Sequence, residues 1–144
     1  MDKELSNIFN DTGHRLTQPR MAVFNFIKSS DLPLSIADIV RLNPAMDKVS
    51  IYRTISLFKK LHIVVAVNNG WKQLYELASP FNPHHHHLVC TKCGKLTEIH
   101  SKKLESMVEE LTSENDFHPV SHHFEINGLC SNCLTLVPDL PSQP

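Results

Sequence analysis

Four cysteines form two identical pairs, each with two residues between its members, and the pairs are Cys90 with Cys93 and Cys130 with Cys133. A two-residue spacer lets both thiolates of a pair face one ion, and two pairs complete a tetrahedron with zinc–sulfur bonds of about 2.3 Å. A redox dithiol would need no second copy, and disulfides are rare in the reducing cytoplasm. The spacing therefore predicts a closed, structural Zn²⁺ site that stabilises a small domain and does not catalyse.

Four consecutive histidines, His84 to His87, lead directly into the first cysteine pair. If this segment is extended, successive side chains point to opposite sides, which separates His84 and His86 from His85 and His87. One segment can then supply two metal sites, although a solvated loop is the plainer interpretation of such a run.

Other potential ligands lie further along the chain. A strand predicted over 120–126 would turn His122 inward, where a single histidine is more often a core residue than a ligand. Glu98 and Glu105 are carboxylates in the same part of the chain. Mixed histidine and carboxylate sets suit Zn²⁺, Fe²⁺ or Mn²⁺ rather than Cu(I).

The periodicity of apolar residues predicts the helices and strands that would position these residues. Helical spacing predicts helices over 3–12, after a cap at Thr17, after a cap at Ser35 and over 49–61. A hairpin follows, with strands over 63–67 and 73–77 joined at Asn69-Gly70. Strands near 88–89, 96–99 and 120–126, with a helix starting at Ser101, complete the order.

The fold class predicted from this order is α+β, with an N-terminal winged helix-turn-helix domain followed by a small α/β dimerisation domain that carries the four-cysteine zinc site. The domain bounds are 1–79 for the winged helix, 80–83 for a proline-containing hinge, 84–137 for the metal-binding domain and 138–144 for a flexible tail.

Charge is divided unevenly between the two parts, although the whole chain carries a formal net charge of only −1. Residues 1–80 hold ten Lys/Arg against seven Asp/Glu, whereas residues 81–144 hold four against eight, together with eight of the ten histidines and all four cysteines. Such asymmetry suggests two units with different partners, though chance drift in surface charge gives the same pattern. The sequence shows neither a membrane span nor a signal peptide, so we expect a cytoplasmic protein without a membrane partner.

The helix over 49–61 is the candidate recognition helix for double-stranded DNA. Ser50 can cap it, while Tyr52 and Arg53 point outward near its N-terminus, the end that meets base edges in the major groove. Arginine can bind guanine through two hydrogen bonds. Arg15 and Arg20 flank the second helix, which follows Thr17, and could reach phosphates or the minor groove. Any exposed helix carries such residues, so this pattern is weak by itself.

Taken together, the motifs resemble the ferric uptake regulator family over roughly residues 5–135. The landmarks occur in order: Gly13 to Arg20, Val49 to Thr54, Tyr75-Glu76-Leu77, His84 to Cys90, Cys93-Gly94, Glu98, and His122 to Cys133. The histidine run joined to paired CxxC motifs is the specific part. The resemblance implies that this chain is a homodimeric repressor that binds operator DNA when it is loaded with metal.

The same resemblance implies a role for each residue set. It assigns the four cysteines to structural zinc, and it assigns His84, His86, Glu105 and His122 to a site inside the dimerisation domain. It assigns Glu76, His85, His87 and Glu98 to a hinge site that senses a regulatory Zn²⁺, Fe²⁺ or Mn²⁺. For DNA it supports the motif containing Ser50, Tyr52, Arg53 and Thr54 in the major groove and Arg15 in the minor groove, with Arg20 nearby.

One position departs from the family pattern. The family usually takes a hinge-site histidine from the winged-helix domain just before its third helix, where this chain has Pro33. The site then uses fewer ligands or recruits another group such as His14 or His62. Glu98 stands where the peroxide-sensing branch of the family prefers aspartate, which disfavours that branch.

We therefore expect a regulator of metal-uptake or metal-homeostasis genes rather than an enzyme with a small organic substrate. A metal-dependent hydrolase would need an open coordination position, a general base and a substrate cleft, and the sequence shows no convincing general base or cleft. A zinc-binding interaction module without DNA function is the other alternative.

Overall fold

The computed structural model describes residues 2–70 and 72–136, and the chain divides into two units, the first ending at Pro83 and the second beginning at His84. The predicted α+β class and the winged-helix order are confirmed. Among the described residues no helix is long and apolar enough to cross a bilayer. The predicted tail, 138–144, lies outside the described residues.

The first unit contains four helices and a three-stranded sheet. Its elements are α1 (Lys3–Asp11), α2 (Gln18–Lys28), β1 (Leu34–Ser35), α3 (Ile36–Leu42), α4 (Lys48–Lys60), β2 (Val64–Asn69) and β3 (Lys72–Leu77). The sheet order is β1-β3-β2, and both pairings are antiparallel. Gly70 follows the hairpin's first strand with a φ of 59°, a conformation that glycine adopts without strain.

Three phenylalanines hold the helices of the first unit together. Phe58 of α4 meets Phe9 and Phe24 edge-to-face, with ring centroids 6.2 and 6.5 Å apart. Ile51 and Ile55 of the same helix are also buried, as their helical spacing predicts. This packing fixes one face of α4 in the core and leaves the opposite face exposed.

The helix starts follow their capping residues, with two corrections. Thr17 occupies the N-cap position of α2, as predicted, but its side chain makes no capping hydrogen bond. Ser35 and Asp38 form a capping box at the start of α3, as expected from the cap predicted at Ser35. The prediction that Ser50 caps α4 is wrong, because Asp47 is the cap and accepts the backbone N–H of Ser50 at 2.9 Å. The aspartate three residues earlier is an equally good cap, and it starts the helix one residue before the predicted bound.

The predicted hinge over 80–83 lies at the end of the first unit. Phe81 packs edge-to-face on Phe24 with 4.9 Å between ring centroids, so part of this segment belongs to that unit's core. Hinge movement itself stays a prediction.

The second unit is built around a short central strand. Its elements are β4 (His86–Cys90), β5 (Leu96–Ile99), α5 (Lys102–Glu114), β6 (Glu125–Gly128) and α6 (Ser131–Leu134). β4 pairs antiparallel with β5 and parallel with β6. Ser101 caps α5 as expected, whereas α6 was not predicted.

The strand predicted over 120–126 is wrong in its bounds. Pairing with β4 begins only at Glu125, which lies opposite His87, and Val120 is fully exposed. Among the described residues the backbone of β4 bonds to this stretch only at its end, where the His87 N–H donates to the Phe124 carbonyl, so the apolar alternation over 120–123 has no neighbouring strand. His122 belongs to the loop that leads into β6, and Ile126 is exposed rather than inward.

Candidate metal centres and DNA-binding surface

The four cysteine sulfurs converge at one end of the second unit's sheet. Cys90 ends β4, Cys93 lies in the following turn, and Cys130 and Cys133 bracket the start of α6. Their sulfurs all lie within 4.8 Å of one another, and the Cys93 and Cys130 sulfurs are 3.7 Å apart. Sulfurs around one tetrahedral Zn²⁺ are about 3.8 Å apart, so the cluster fits zinc, and none of the four cysteines is in a disulfide.

Backbone geometry prepares this cluster for a cation. The N–H of Cys130 donates to the Cys90 sulfur at 3.4 Å, and Gly94, with a φ of 75°, closes the turn by donating to the Cys90 carbonyl at 2.8 Å. Backbone N–H groups of Cys130 and Cys93 lower the pKa of Cys90 to about 6, while burial raises the pKa of Cys133 to about 12. A cation bound by these sulfurs would favour the thiolate form of Cys133, which burial disfavours.

A second cluster combines three histidines and one carboxylate: His84, His86, Glu105 and His122. Glu105, on the first turn of α5, is its centre. Its oxygens lie 2.8 Å from His86 Nε2, 3.1 Å from His122 Nε2 and 3.4 Å from His84 Nε2. Three imidazoles and one carboxylate suit Zn²⁺, Fe²⁺ or Mn²⁺, so the donor set fits the expected metals.

Hydrogen bonds already orient this second cluster. The Phe124 N–H donates to His86 Nδ1 at 3.3 Å, so the His86 proton sits on Nε2 and is donated to Glu105. That hydrogen bond is the main reason why the pKa of Glu105 is lowered, whereas burial lowers the pKa of His84. A cation held by His86 Nε2 would take the place of the proton that this atom shares with Glu105.

The third predicted set is distributed over both units. His85, His87 and Glu98 belong to the second unit, and their ligand atoms lie within 4.8 Å of one another. The rings of His85 and His87 have centroids 4.8 Å apart, and Glu98 lies opposite His87 in the β4–β5 ladder. Glu76, the remaining predicted ligand, is a buried residue of β3 in the first unit.

The histidine run divides as the alternation of an extended segment requires. His84 and His86 lie with Glu105, whereas His85 and His87 lie with Glu98, although only His86 and His87 are within β4. Alternation therefore continues just ahead of the hydrogen-bonded strand.

The candidate DNA-binding residues differ in accessibility. Tyr52 and Arg53 are exposed in the first two turns of α4, and Arg15 is exposed ahead of α2. Thr54 is buried and donates to the Ser50 carbonyl at 2.7 Å, so it is not available to a base edge. Helical spacing explains this, because Thr54 is three residues beyond the buried Ile51.

Two basic residues near this surface have roles that the sequence did not indicate. Arg20 donates to the Arg15 carbonyl and lies 5.8 Å from the centroid of the Phe9 ring, so it braces the start of α2. Lys48, overlooked in the sequence, has its ammonium 5.9 Å from the Tyr52 ring centroid. It adds positive charge at the exposed N-terminus of α4. Its position next to Asp47, the residue that caps the helix, is the sequence feature that could have identified it.

A winged-helix unit joined to a unit with clustered metal ligands defines a class of metal-binding regulators. The model of the "Ferric uptake regulator family" matches residues 11–127. The "Ferric uptake regulation protein" of Neisseria gonorrhoeae is 31% identical over 139 residues, covering 91% of this chain and 95% of that protein. The chain belongs to the ferric uptake regulator family: it is a metal-responsive, DNA-binding regulator of transcription and not an enzyme.

Solved structures share this fold. The ferric uptake regulator from Pseudomonas aeruginosa with manganese aligns with a TM-score of 0.77 and 21% identity, over 88% of this chain and 97% of that one. A zinc uptake regulator complexed with zinc and DNA aligns with a TM-score of 0.57 and 23% identity, over 94% of each chain.

Replacing Cys93 by serine should unfold the second unit or prevent its self-association. Cys93 is exposed, so the loss would come from the missing zinc ligand and not from packing. We expect zinc content to fall well below that of the parent chain, measured by elemental analysis alongside far-UV circular dichroism. Ser131→Ala, an exposed change on α6, is the matched control and should keep both values. Normal folding and zinc content in Cys93→Ser would refute the structural assignment.

Proposed function

We propose that this regulator is a cytoplasmic repressor of metal-uptake or metal-homeostasis genes that binds operator DNA as a metal-loaded homodimer. One observation carries the proposal: a single segment, His84 to Cys90, contributes ligands to the cysteine cluster and to two histidine–carboxylate clusters. A chain that served only as a zinc-stabilised interaction module would need the cysteine cluster alone.

The two kinds of cluster have different roles in this proposal. The cysteine cluster offers four protein sulfurs and would hold zinc as a permanent part of the fold. The histidine–carboxylate clusters would exchange a regulatory Zn²⁺, Fe²⁺ or Mn²⁺ with the cell. Imidazole and carboxylate ligands bind these ions less permanently than four thiolates bind zinc, which a sensor requires.

Sensing would depend on His85, His87 and Glu98 together with Glu76. The family resemblance supports Glu76 as a ligand contributed by the winged-helix unit. An ion that binds ligands from both units favours those arrangements in which all of them can reach it. Metal binding would thereby select the posture of the winged-helix units that fits an operator.

DNA would be read by the exposed N-terminal turns of α4. Arg53 can donate two hydrogen bonds to guanine in the major groove, and Tyr52 can pack on a thymine methyl group or bind phosphate. Arg15 would reach the minor groove, and Lys48 would add a phosphate contact. Ser50 stays within reach of the backbone, whereas Thr54 is withdrawn from this set because it is buried.

Self-association would use apolar side chains of the second unit. Leu88 and Ile126 are neighbours in the β4–β6 ladder, and 38% and 54% of their surfaces are exposed. Met107 and Leu111 add exposed apolar surface one turn apart on α5. Adjacent exposed apolar residues mark interaction surfaces, and a two-fold dimer would present two α4 helices to a palindromic operator.

Replacing Arg53 by alanine should weaken operator binding by about 1–3 kcal/mol and relax sequence preference at one base pair, because a bidentate contact is lost. The operator would be a duplex selected in vitro by the metal-loaded parent chain, and affinity would be measured by fluorescence anisotropy. Lys60→Ala, which removes the same charge at the other end of α4, should have little effect. Equal losses in both variants would indicate non-specific attraction and contradict the assignment of α4.

Replacing Glu105 by glutamine should weaken one exchangeable metal site by at least about tenfold, because the central carboxylate of the second cluster loses its charge. Metal affinity would be measured by titration of the zinc-containing chain, with folding checked by circular dichroism. Glu109→Gln, an exposed change one turn further along α5, serves as the control. Identical metal affinity in the two variants would show that Glu105 is not a ligand.

A further inference from the structure

His100 lies immediately beyond β5, in the same unit as His85, His87 and Glu98. The antiparallel β4–β5 ladder pairs His87 with Glu98 and His86 with Ile99. Continuing this register by one position sets His85 opposite His100. Because side chains of a strand alternate between faces, these two histidines share the face of His87 and Glu98.

A backbone hydrogen bond orients the His100 ring for metal binding. Its Nδ1 lies 3.2 Å from the carbonyl oxygen of His84, which can only accept a hydrogen bond, so Nδ1 carries the proton. The lone pair is then on Nε2. Metal-binding histidines commonly donate their other ring N–H to a backbone carbonyl or carboxylate in this way.

The His100 ring lies near this set, but His100 is outside the group whose ligand atoms are all within 4.8 Å of one another, so ligation would need the side chain to move toward His85. The centroids of His85 and His100 are 5.9 Å apart. Metal–nitrogen bonds of about 2.1 Å allow two imidazoles on the same ion to have centroids up to about 6 Å apart. His100 is exposed, so its side chain can move this short distance toward His85, with Nδ1 still directed at the His84 carbonyl, without disturbing a packed core.

We infer that His100 is an additional ligand of the sensing site, and this inference rests on the sensing function proposed above. It supplies, from the second unit, the imidazole that family members take from the winged-helix unit at the position of Pro33. Pro33 is buried immediately before β1 and has no side-chain donor atom for a metal.

This ligand changes the chemistry of the site. Three imidazoles and Glu98 would come from the second unit, leaving Glu76 as the ligand from the first. An imidazole-rich set favours Zn²⁺ or Fe²⁺ over Mn²⁺, which prefers oxygen ligands. The second unit's contribution to metal affinity is correspondingly larger than it would be with two histidines.

The test is a Co²⁺ titration of the full-length, zinc-containing chain, followed by visible absorption. We expect two exchangeable sites in the parent chain. His100→Ala and His100→Asn should each weaken one of them by at least about tenfold and alter its absorption spectrum. His118→Ala, which removes an exposed histidine elsewhere in the unit, should leave both sites unchanged.

The asparagine variant separates ligation from support of the loop. Its side-chain amide can still donate to the His84 carbonyl, but it has no counterpart of Nε2. If the Co²⁺ affinity and the absorption spectrum of His100→Asn match those of the parent chain, the inference is wrong. DNA affinity of the parent with and without metal, measured on the same samples, tests the proposed function separately. A parent chain without any exchangeable site would contradict both.

Discussion

The alternation of side chains along β4 is the constraint on which the other features of the second unit depend. Successive residues of this segment point to opposite faces, so a run of four histidines is divided between two clusters before the chain reaches Cys90. Pairing with β5 places Glu98 opposite His87. Pairing with β6 fixes the position of Glu125 and therefore the end of the loop that carries His122. A slip of one residue would exchange the two histidine sets and separate each from its carboxylate.

Zinc bound by the cysteine cluster would stabilise this register. Cys90 is the last residue of β4, and Cys130 follows β6 by two residues, so a zinc ion held by both would join two neighbouring strands at one end. The Cys130 N–H bound to the Cys90 sulfur already links them. Zinc affinity would then contribute directly to folding of a unit whose buried apolar side chains are few. The histidine–carboxylate clusters draw their histidines from the same segment, so zinc binding would also hold those histidines in register.

Spacing rules predicted the parts that depend on local chemistry. The CxxC pairs, the division of the histidines and the buried face of α4 follow from periodicities of the chain itself. The errors occurred where neighbouring groups or distant partners decide. Asp47 displaced Ser50 as a cap, Thr54 turned inward with the core-facing residues, and the described residues 120–123 have no neighbouring strand. His100 was not predicted as a ligand, because its position relative to the other histidines depends on which residues pair between strands. The alternation of Glu98 and His100 was present in the sequence, but only the β4–β5 pairing sets His100 opposite His85.

The most direct test of the account is the operator affinity of the parent chain across a metal series. The chain would carry structural zinc only, and then receive Zn²⁺, Fe²⁺ or Mn²⁺ at matched ionic strength, with metal content per chain measured in parallel. At least one metal should tighten binding to the selected operator by about tenfold or more as the histidine–carboxylate clusters fill. Equal affinity with every metal and with a chelator that leaves structural zinc in place would contradict the claim that these clusters control DNA binding.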